Sequence, residues 1–181
     1  MRKIRLGIVF IFLVFVAHAQ QEIQWMTMNE ALAAQKEKPK KIFVDMYTTW
    51  CGPCKMLDRN TFSNKDVIDY INKHYYAVKF NAEGTEEVTY KGFTYTNPNY
   101  QKGRKGRNAT HLFTHALKIN AYPNLVFFKE NGDLIQNVPG YRSPRQIEIF
   151  LKMIANDDYL TLTTSESWEA YQKNFKPTFK E

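Results

Sequence analysis

The chain has 181 residues, with 25 basic against 18 acidic side chains and a formal net charge of +7. Arg2, Lys3 and Arg5 supply three of the surplus cations, and the +4 left on the remainder is too weak and too dispersed for a nucleic-acid binder. Hydrophobic residues make up 44% of the chain and cysteine occurs twice, which is enough apolar material for one core and too few thiols for a disulfide-stapled fold.

At the N-terminus, the three cations precede an unbroken apolar stretch from Leu6 to Ala17 that ends in Ala17-His18-Ala19. A basic start, a short apolar centre and a small-x-small ending predict a cleaved export signal over residues 1–19. The stretch is shorter than the roughly 20 residues needed to cross a bilayer, so a retained anchor is the lesser alternative. No cysteine follows it to accept a lipid. The mature chain is expected to begin near Gln20 or Gln21 and, at about 160 residues, to form one domain over 20–155 with a helical tail over 156–181.

Thr27-Met28-Asn29-Glu30 has the form of a capping box and opens a helix that runs to about Gln35, with Pro39 preceding the first strand. That strand, Ile42 to Tyr47, leads into Trp50-Cys51-Gly52-Pro53-Cys54, which sets both thiols at a strand-to-helix junction. A thiolate is the attacking species in disulfide exchange, and the free N–H groups and positive dipole end of a helix N-terminus favour it. Cys51 is therefore the predicted nucleophile. Cys54, about one turn further on, can resolve a mixed disulfide by closing an intramolecular one. Between them, Gly52 and Pro53 give the thiolate little extra stabilisation, because proline brings neither an N–H nor a polar side chain, and so bias the pair towards a reductant.

Two plainer assignments of the cysteines are weaker. A zinc site would need His111 and His115, yet more than fifty residues separate Cys54 from His111, against about 12 to 20 in a compact site. A purely structural disulfide would close a loop too short to remove much unfolded-state entropy.

The helix after Cys51 runs towards Thr61, and Ser63-Asn64-Lys65-Asp66 caps a second helix from Val67 to Asn72, with Val67, Ile68 and Ile71 on one face. A strand follows from Tyr75 to Phe80. Ala82 to Ala109 is rich in Gly, Asn, Tyr and Lys and is expected to be an irregular or hairpin loop on the surface. Its basic run, Lys102 to Arg107, suits an acidic partner or an anionic membrane face, although a simply solvated loop is the plainer expectation. Thr110 to Lys118 then reads as a helix. Leu125 to Phe128 and Leu134 to Val138 form a hairpin through Asn131-Gly132. Ser143-Pro144 opens the last packed helix, whose buried stripe is Ile147, Phe150, Leu151 and Ile154. Beyond polar Asn156-Asp157-Asp158, Glu166 to Asn174 reads as a short helix that either packs back on the domain or docks a partner.

An early strand, a Trp-Cys-Gly-Pro-Cys motif, and a terminal hairpin plus helix together resemble the thioredoxin fold, an α/β arrangement with a mixed central sheet flanked by helices. The resemblance covers roughly Thr27 to Ala155, with 82–109 as an insertion before the cis-proline loop. It implies that Asp45, six positions before Cys51, is a buried aspartate relaying a proton to or from Cys54, with Lys79 as its accessory neighbour. Such a carboxylate, held in an apolar strand, has its pKa raised towards the working range of a proton shuttle. The resemblance further implies that Pro123 in Ala121-Tyr122-Pro123-Asn124 is the cis-proline, that Tyr122 and Pro123 face the substrate chain, and that Gly140 is the glycine after the hairpin. Trp50 is expected to shield the thiols and contact substrates. After the motif, Lys55 to Ser63 followed by Val67 is similar to the soluble C-terminal domain of bacterial transmembrane disulfide-interchange reductases. Arg59 there replaces the helix-kinking proline of ordinary thioredoxins, Tyr47 replaces a tryptophan, and Tyr122 is bulkier than the usual residue before the cis-proline.

The function so implied is an exported, periplasmic thiol–disulfide oxidoreductase, mainly a protein disulfide reductase built on the Cys51/Cys54 dithiol. Its substrates would be disulfide-bonded exported proteins and its electron donor a separate membrane thiol carrier. No cofactor, metal or nucleic acid is expected, and the protein is expected to be a monomer. A disulfide oxidase or isomerase would instead show a more oxidising couple, and a non-catalytic binding module would tolerate Cys51→Ser.

Overall fold

Strand β2 (Lys41–Tyr47) is buried from Lys41 to Met46, on both faces at once. Only the centre of a sheet covered by helices on both sides accommodates such a strand. The computed structural model describes residues 21–181, and the expected export signal lies outside the described residues. In it β2 runs parallel to β3 (Tyr75–Asn81), which in turn pairs in parallel with the two-residue β1 (Trp25–Met26). On its other side β2 is antiparallel to β6 (Asn124–Phe128), which forms a hairpin with β7 (Leu134–Pro139). The resulting order is β1-β3-β2-β6-β7.

Alternation along β2 divides the core. Phe43, with Leu125 and Phe127 of β6, packs under α3 (Lys65–His74) and α5 (Pro144–Ala155) through Val67, Ile71, Ile147 and Leu151. Ile42, Val44 and Met46 face the other way and meet Met28 and Ala31 of α1 (Met28–Glu37) and Phe113 of α4 (Leu112–Ala116). Asp45 belongs by alternation to the Phe43 face. The register opposes it to Lys79 on β3 and Leu125 on β6.

Local sequence fixes the helix ends. Thr27 and Glu30 make the reciprocal capping box of α1, with Glu30 N donating to Thr27 Oγ1 at 3.2 Å and the Glu30 carboxylate accepting from Thr27 N at 2.7 Å. Asn64 caps α3 by accepting from Asp66 N and Val67 N, and Ser143 and Gln146 box the start of α5. His111 caps α4: its Nδ1 accepts from Phe113 N at 3.0 Å, so Nε2 carries the proton and donates to Glu86 O at 2.7 Å. That ring is fully buried, and the backbone bonds shorten the expected Thr110–Lys118 helix to five residues.

Segment 82–109 is only partly irregular. Its first half is a small hairpin of β4 (Val88–Tyr90) and β5 (Phe93–Tyr95). Val88 is fully buried, and Tyr90 and Tyr95 each set an edge or tilted face against Phe113 at 5.6 Å. Asn29 of α1 holds the hairpin from below, donating to Glu87 O and accepting from Thr89 N.

After a 3-10 turn (Asp158–Leu160) and α6 (Ser165–Asn174), the last residues return to the domain. Phe179 is buried in the α3/α5 core and Trp168 lies against Phe150 at 5.7 Å. Glu148, fully buried, accepts from Thr178 N, Thr178 Oγ1 and Phe179 N at 2.7–2.9 Å and pairs with Lys152 at 2.6 Å. Burial pushes the Glu148 carboxyl up, but Lys152 and the tail donors together outweigh it and hold the pKa below the usual carboxylate value. A depressed acid stabilises the fold above its unfolded pKa and ceases to as pH falls through the folded one. Thr178→Val is accordingly expected to cost about 1 kcal/mol at pH 7, and less once acid protonates Glu148 below the usual carboxylate range, in denaturant titrations.

Candidate active site

The end of β2 and the start of α2 (Gly52–Asn60) place the two cysteines. Cys51 is the N-cap of that helix, and its Sγ accepts from Cys54 N at 3.1 Å. Helix geometry brings the pair together with a Cα–Cα distance of 5.3 Å, and they are joined as a disulfide. Both are 2% exposed, whereas Gly52 and Pro53 stand in solvent at the tip of the turn. In the reduced state the Cys51 sulfur faces the free N–H groups and positive end of α2, where a thiolate is stabilised.

Six residues before Cys51, β2 carries a charged group into the interior. Asp45 is 1% exposed, and Lys79 Nζ donates to its Oδ2 at 3.1 Å, while Oδ1 has no partner among the described residues. Burial is the main cause of a pKa raised from 3.8 to about 6; the Lys79 charge opposes the rise and Asp58 adds to it. Lys79 also pairs with Asp58 of α2 and lies over the rings of Trp25, Tyr47 and Phe62 at 5.1–5.6 Å. Burial disfavours its ammonium, but Asp45 and Asp58 outweigh that and raise its pKa. Parallel pairing of β3 with β2 sets Lys79 opposite Asp45, inside this aromatic and acidic surround.

The third element is the loop before β6. The Tyr122–Pro123 peptide bond is cis, Pro123 is buried, and Pro123 O accepts from Gly140 N at 2.8 Å. Tyr122 meets Trp50 edge to face at 6.2 Å, joining this loop to the cysteine loop. Trp50 Nε1 donates to Glu83 Oε2 at 2.8 Å, and Arg107 lies over the indole at 4.4 Å. Sequence reasoning missed Glu83 and Asp58 and named Arg107 only as the end of the basic run. Asp58, four residues after Cys54 on a helix that follows β2, had a readable signal; Glu83 and Arg107 reach Trp50 only through the tertiary path of segment 82–109.

Among the described residues no three His, Cys, Asp or Glu side chains come together as a metal site, and His111 is committed to the α4 cap. A family model described as a thioredoxin-like domain matches residues 28–155. The chain belongs to the thioredoxin-like family. No curated protein matches it. Among solved structures, a thioredoxin-fold protein from Helicobacter pylori is similar at 18% identity and TM-score 0.58, covering 80% of this chain and 96% of its own. A thioredoxin from Thermus thermophilus gives 14% and 0.54, covering 74% of this chain and 87% of its own. A protein described as the DsbH oxidoreductase gives 16% and 0.51, covering 75% and 85% respectively. These likenesses establish the thioredoxin fold, a mixed sheet flanked by helices. Within that fold the Cys51–Cys54 pair fits the dithiol of a thiol–disulfide oxidoreductase.

Proposed function

We propose that this thioredoxin-like protein is an exported protein-disulfide reductase working in the periplasm. The observation that carries the reading is the Cys51–Cys54 pair at the N-terminus of α2, with the raised-pKa carboxyl of Asp45 on the strand that leads into it. The Cys51 thiolate attacks one sulfur of a substrate disulfide lying against Tyr122 and Pro123, and the other substrate sulfur leaves as a thiolate. Asp45 then accepts the Cys54 proton, directly or through a water, and the Cys54 sulfur displaces the reduced product. Two electrons pass from the dithiol to the substrate, and the protein is left in the disulfide form that the structure contains. Trp50 shields the exchange and Lys79 holds the Asp45 carboxylate in place. The donor that restores the dithiol is proposed to be a separate membrane thiol carrier, in keeping with the likeness of Lys55 to Ser63 to the interchange-reductase domain. Export rests on the sequence of residues 1–19; among the described residues no helix is long and apolar enough to cross a membrane.

The reduction potential of the Cys51/Cys54 couple decides the direction. Equilibration against dithiothreitol buffers, read by thiol alkylation, is expected to give a value near the thioredoxin figure of about −270 mV. A value between about −120 and −180 mV would reassign the protein as an oxidase or isomerase.

A further inference from the structure

Trp50 fastens both ends of segment 82–109 to the cysteine loop. The Glu83 carboxylate, 7% exposed, accepts from Trp50 Nε1 and from Asn108 N through the same oxygen at 2.8 and 2.9 Å. Arg107 covers the indole face at 4.4 Å. Asn97, itself buried, closes the neck by donating to Gly84 O at 3.1 Å and Ala109 O at 2.7 Å. Both ends of the stretch are therefore held at Trp50, the residue before Cys51. Gly103 and Gly106, at φ 79° and 84°, turn it twice, backbone that other residues rarely adopt.

That stretch carries Lys102, Arg104, Lys105 and Arg107 with no acid between them. All four are exposed, and among the described residues none forms an ion pair. Glu83, the carboxylate at the neck of the segment, already accepts from Trp50 and Asn108. Unpaired charge of one sign beside a reaction centre attracts chains of the opposite sign and repels its own. We propose that segment 101–107 is the substrate-selecting wall of the active site, recognising acidic polypeptide that flanks the disulfide to be reduced. The inference rests on the reductase reading above. A polypeptide fits better than a lipid surface because Arg107, which ends the run, lies over Trp50, the residue before Cys51, and because the run contains no apolar side chain to enter a bilayer.

The test uses pre-reduced protein in single turnovers with two synthetic peptides, each holding one disulfide, flanked in one by Asp and Glu and in the other by Lys. In each turnover the Cys51/Cys54 dithiol becomes a disulfide and the peptide disulfide becomes two thiols, so no other reductant enters. The acidic peptide is expected to react about tenfold faster at low ionic strength, with the ratio falling towards one in high salt. In the triple variant Lys102→Glu, Arg104→Glu, Lys105→Glu the preference is expected to reverse. Because the readout is a ratio within one preparation, a partly unfolded variant does not distort it. Equal rates for the two peptides in the wild-type protein, or an unchanged ratio in the variant, would overturn the inference and leave the reductase reading intact. Equal rates together with sedimentation on anionic phospholipid vesicles would assign the cations to a membrane face instead. If neither peptide is reduced, the reductase reading fails and takes the inference with it.

Discussion

Cys51→Ser is expected to abolish disulfide reduction, by at least about a thousandfold, whereas Cys54→Ser is expected to keep the first half of the reaction and stop there. The asymmetry follows from where α2 begins. Cys51 is the N-cap, so its sulfur meets the unpaired N–H groups of the first turn, including Cys54 N at 3.1 Å. Cys54 lies inside the helix and has no such position. With serine at 54, the mixed disulfide between Cys51 and the substrate has no internal thiol to resolve it and accumulates. Non-reducing mass spectrometry after mixing with an oxidised protein substrate should show a covalent adduct of one protein per substrate with Cys54→Ser and none with Cys51→Ser. Adducts through Cys54 in the Cys51→Ser protein would reverse the assignment of nucleophile. Full activity in the Cys51→Ser protein would remove the enzyme reading and leave a binding module.

The fold was legible wherever a local chemical signal and its tertiary consequence coincide. Capping residues at Thr27, Asn64 and Ser143 set helix starts without help from the rest of the chain, and Pro53 and Pro144 stand in the first turns of α2 and α5. The apolar, β-prone run from Ile42 to Tyr47, interrupted only by Asp45, marked a strand. Elements of two or three residues were not legible. β1 has no period to detect, and β4 and β5 flank Lys91-Gly92 as triplets too short to stand out from a polar loop. Tertiary contacts, rather than propensity, make them strands: β1 completes the edge beside β3, and the hairpin rests on Asn29 and Phe113.

The candidate site divides in the same way. The thiols, the Tyr-Pro dipeptide and the aspartate six residues before Cys51 are motifs, and motifs are visible in one dimension. Lys79 was legible only through the resemblance; in the structure Asp45 and Lys79 meet because β2 and β3 pair in parallel with those two residues opposed. Glu83 and Arg107 needed more. They are 24 positions apart in a segment without a family pattern, and they converge on Trp50 only because Asn97 and Asn108 close that segment on itself. Basic residues from 102 to 107 were noticed as a cluster; that their last member, Arg107, lies over Trp50 could not be read from composition.

Asp45→Asn is expected to make the protein more stable and a slower reductase, two opposite effects with one cause. The folded protein holds the Asp45 proton with a pKa of about 6 against an ordinary value of 3.8, so it binds that proton more tightly than the unfolded chain does. Stability therefore falls as pH rises from about 4 to 6, and above that range the fold carries the full penalty of about 3 kcal/mol, each pKa unit corresponding to 1.36 kcal/mol. Asparagine has no charge to bury. Its expected gain in unfolding free energy is up to about 3 kcal/mol at pH 8 and under about 1 kcal/mol at pH 4, where the native aspartate is still protonated. The cost is kinetic. Without a base at 45, deprotonation of Cys54 slows, and release of the mixed disulfide near pH 7 is expected to drop about a hundredfold. That deficit should shrink as pH approaches the intrinsic pKa of a thiol, about 8.5, because solvent then deprotonates Cys54 unaided. Urea titrations at the two pH values, together with stopped-flow rates of product release from pH 6 to 9, measure both effects. A variant that gains stability but shows a pH-independent rate loss would leave Asp45 as a buried structural acid and remove it from the proton path.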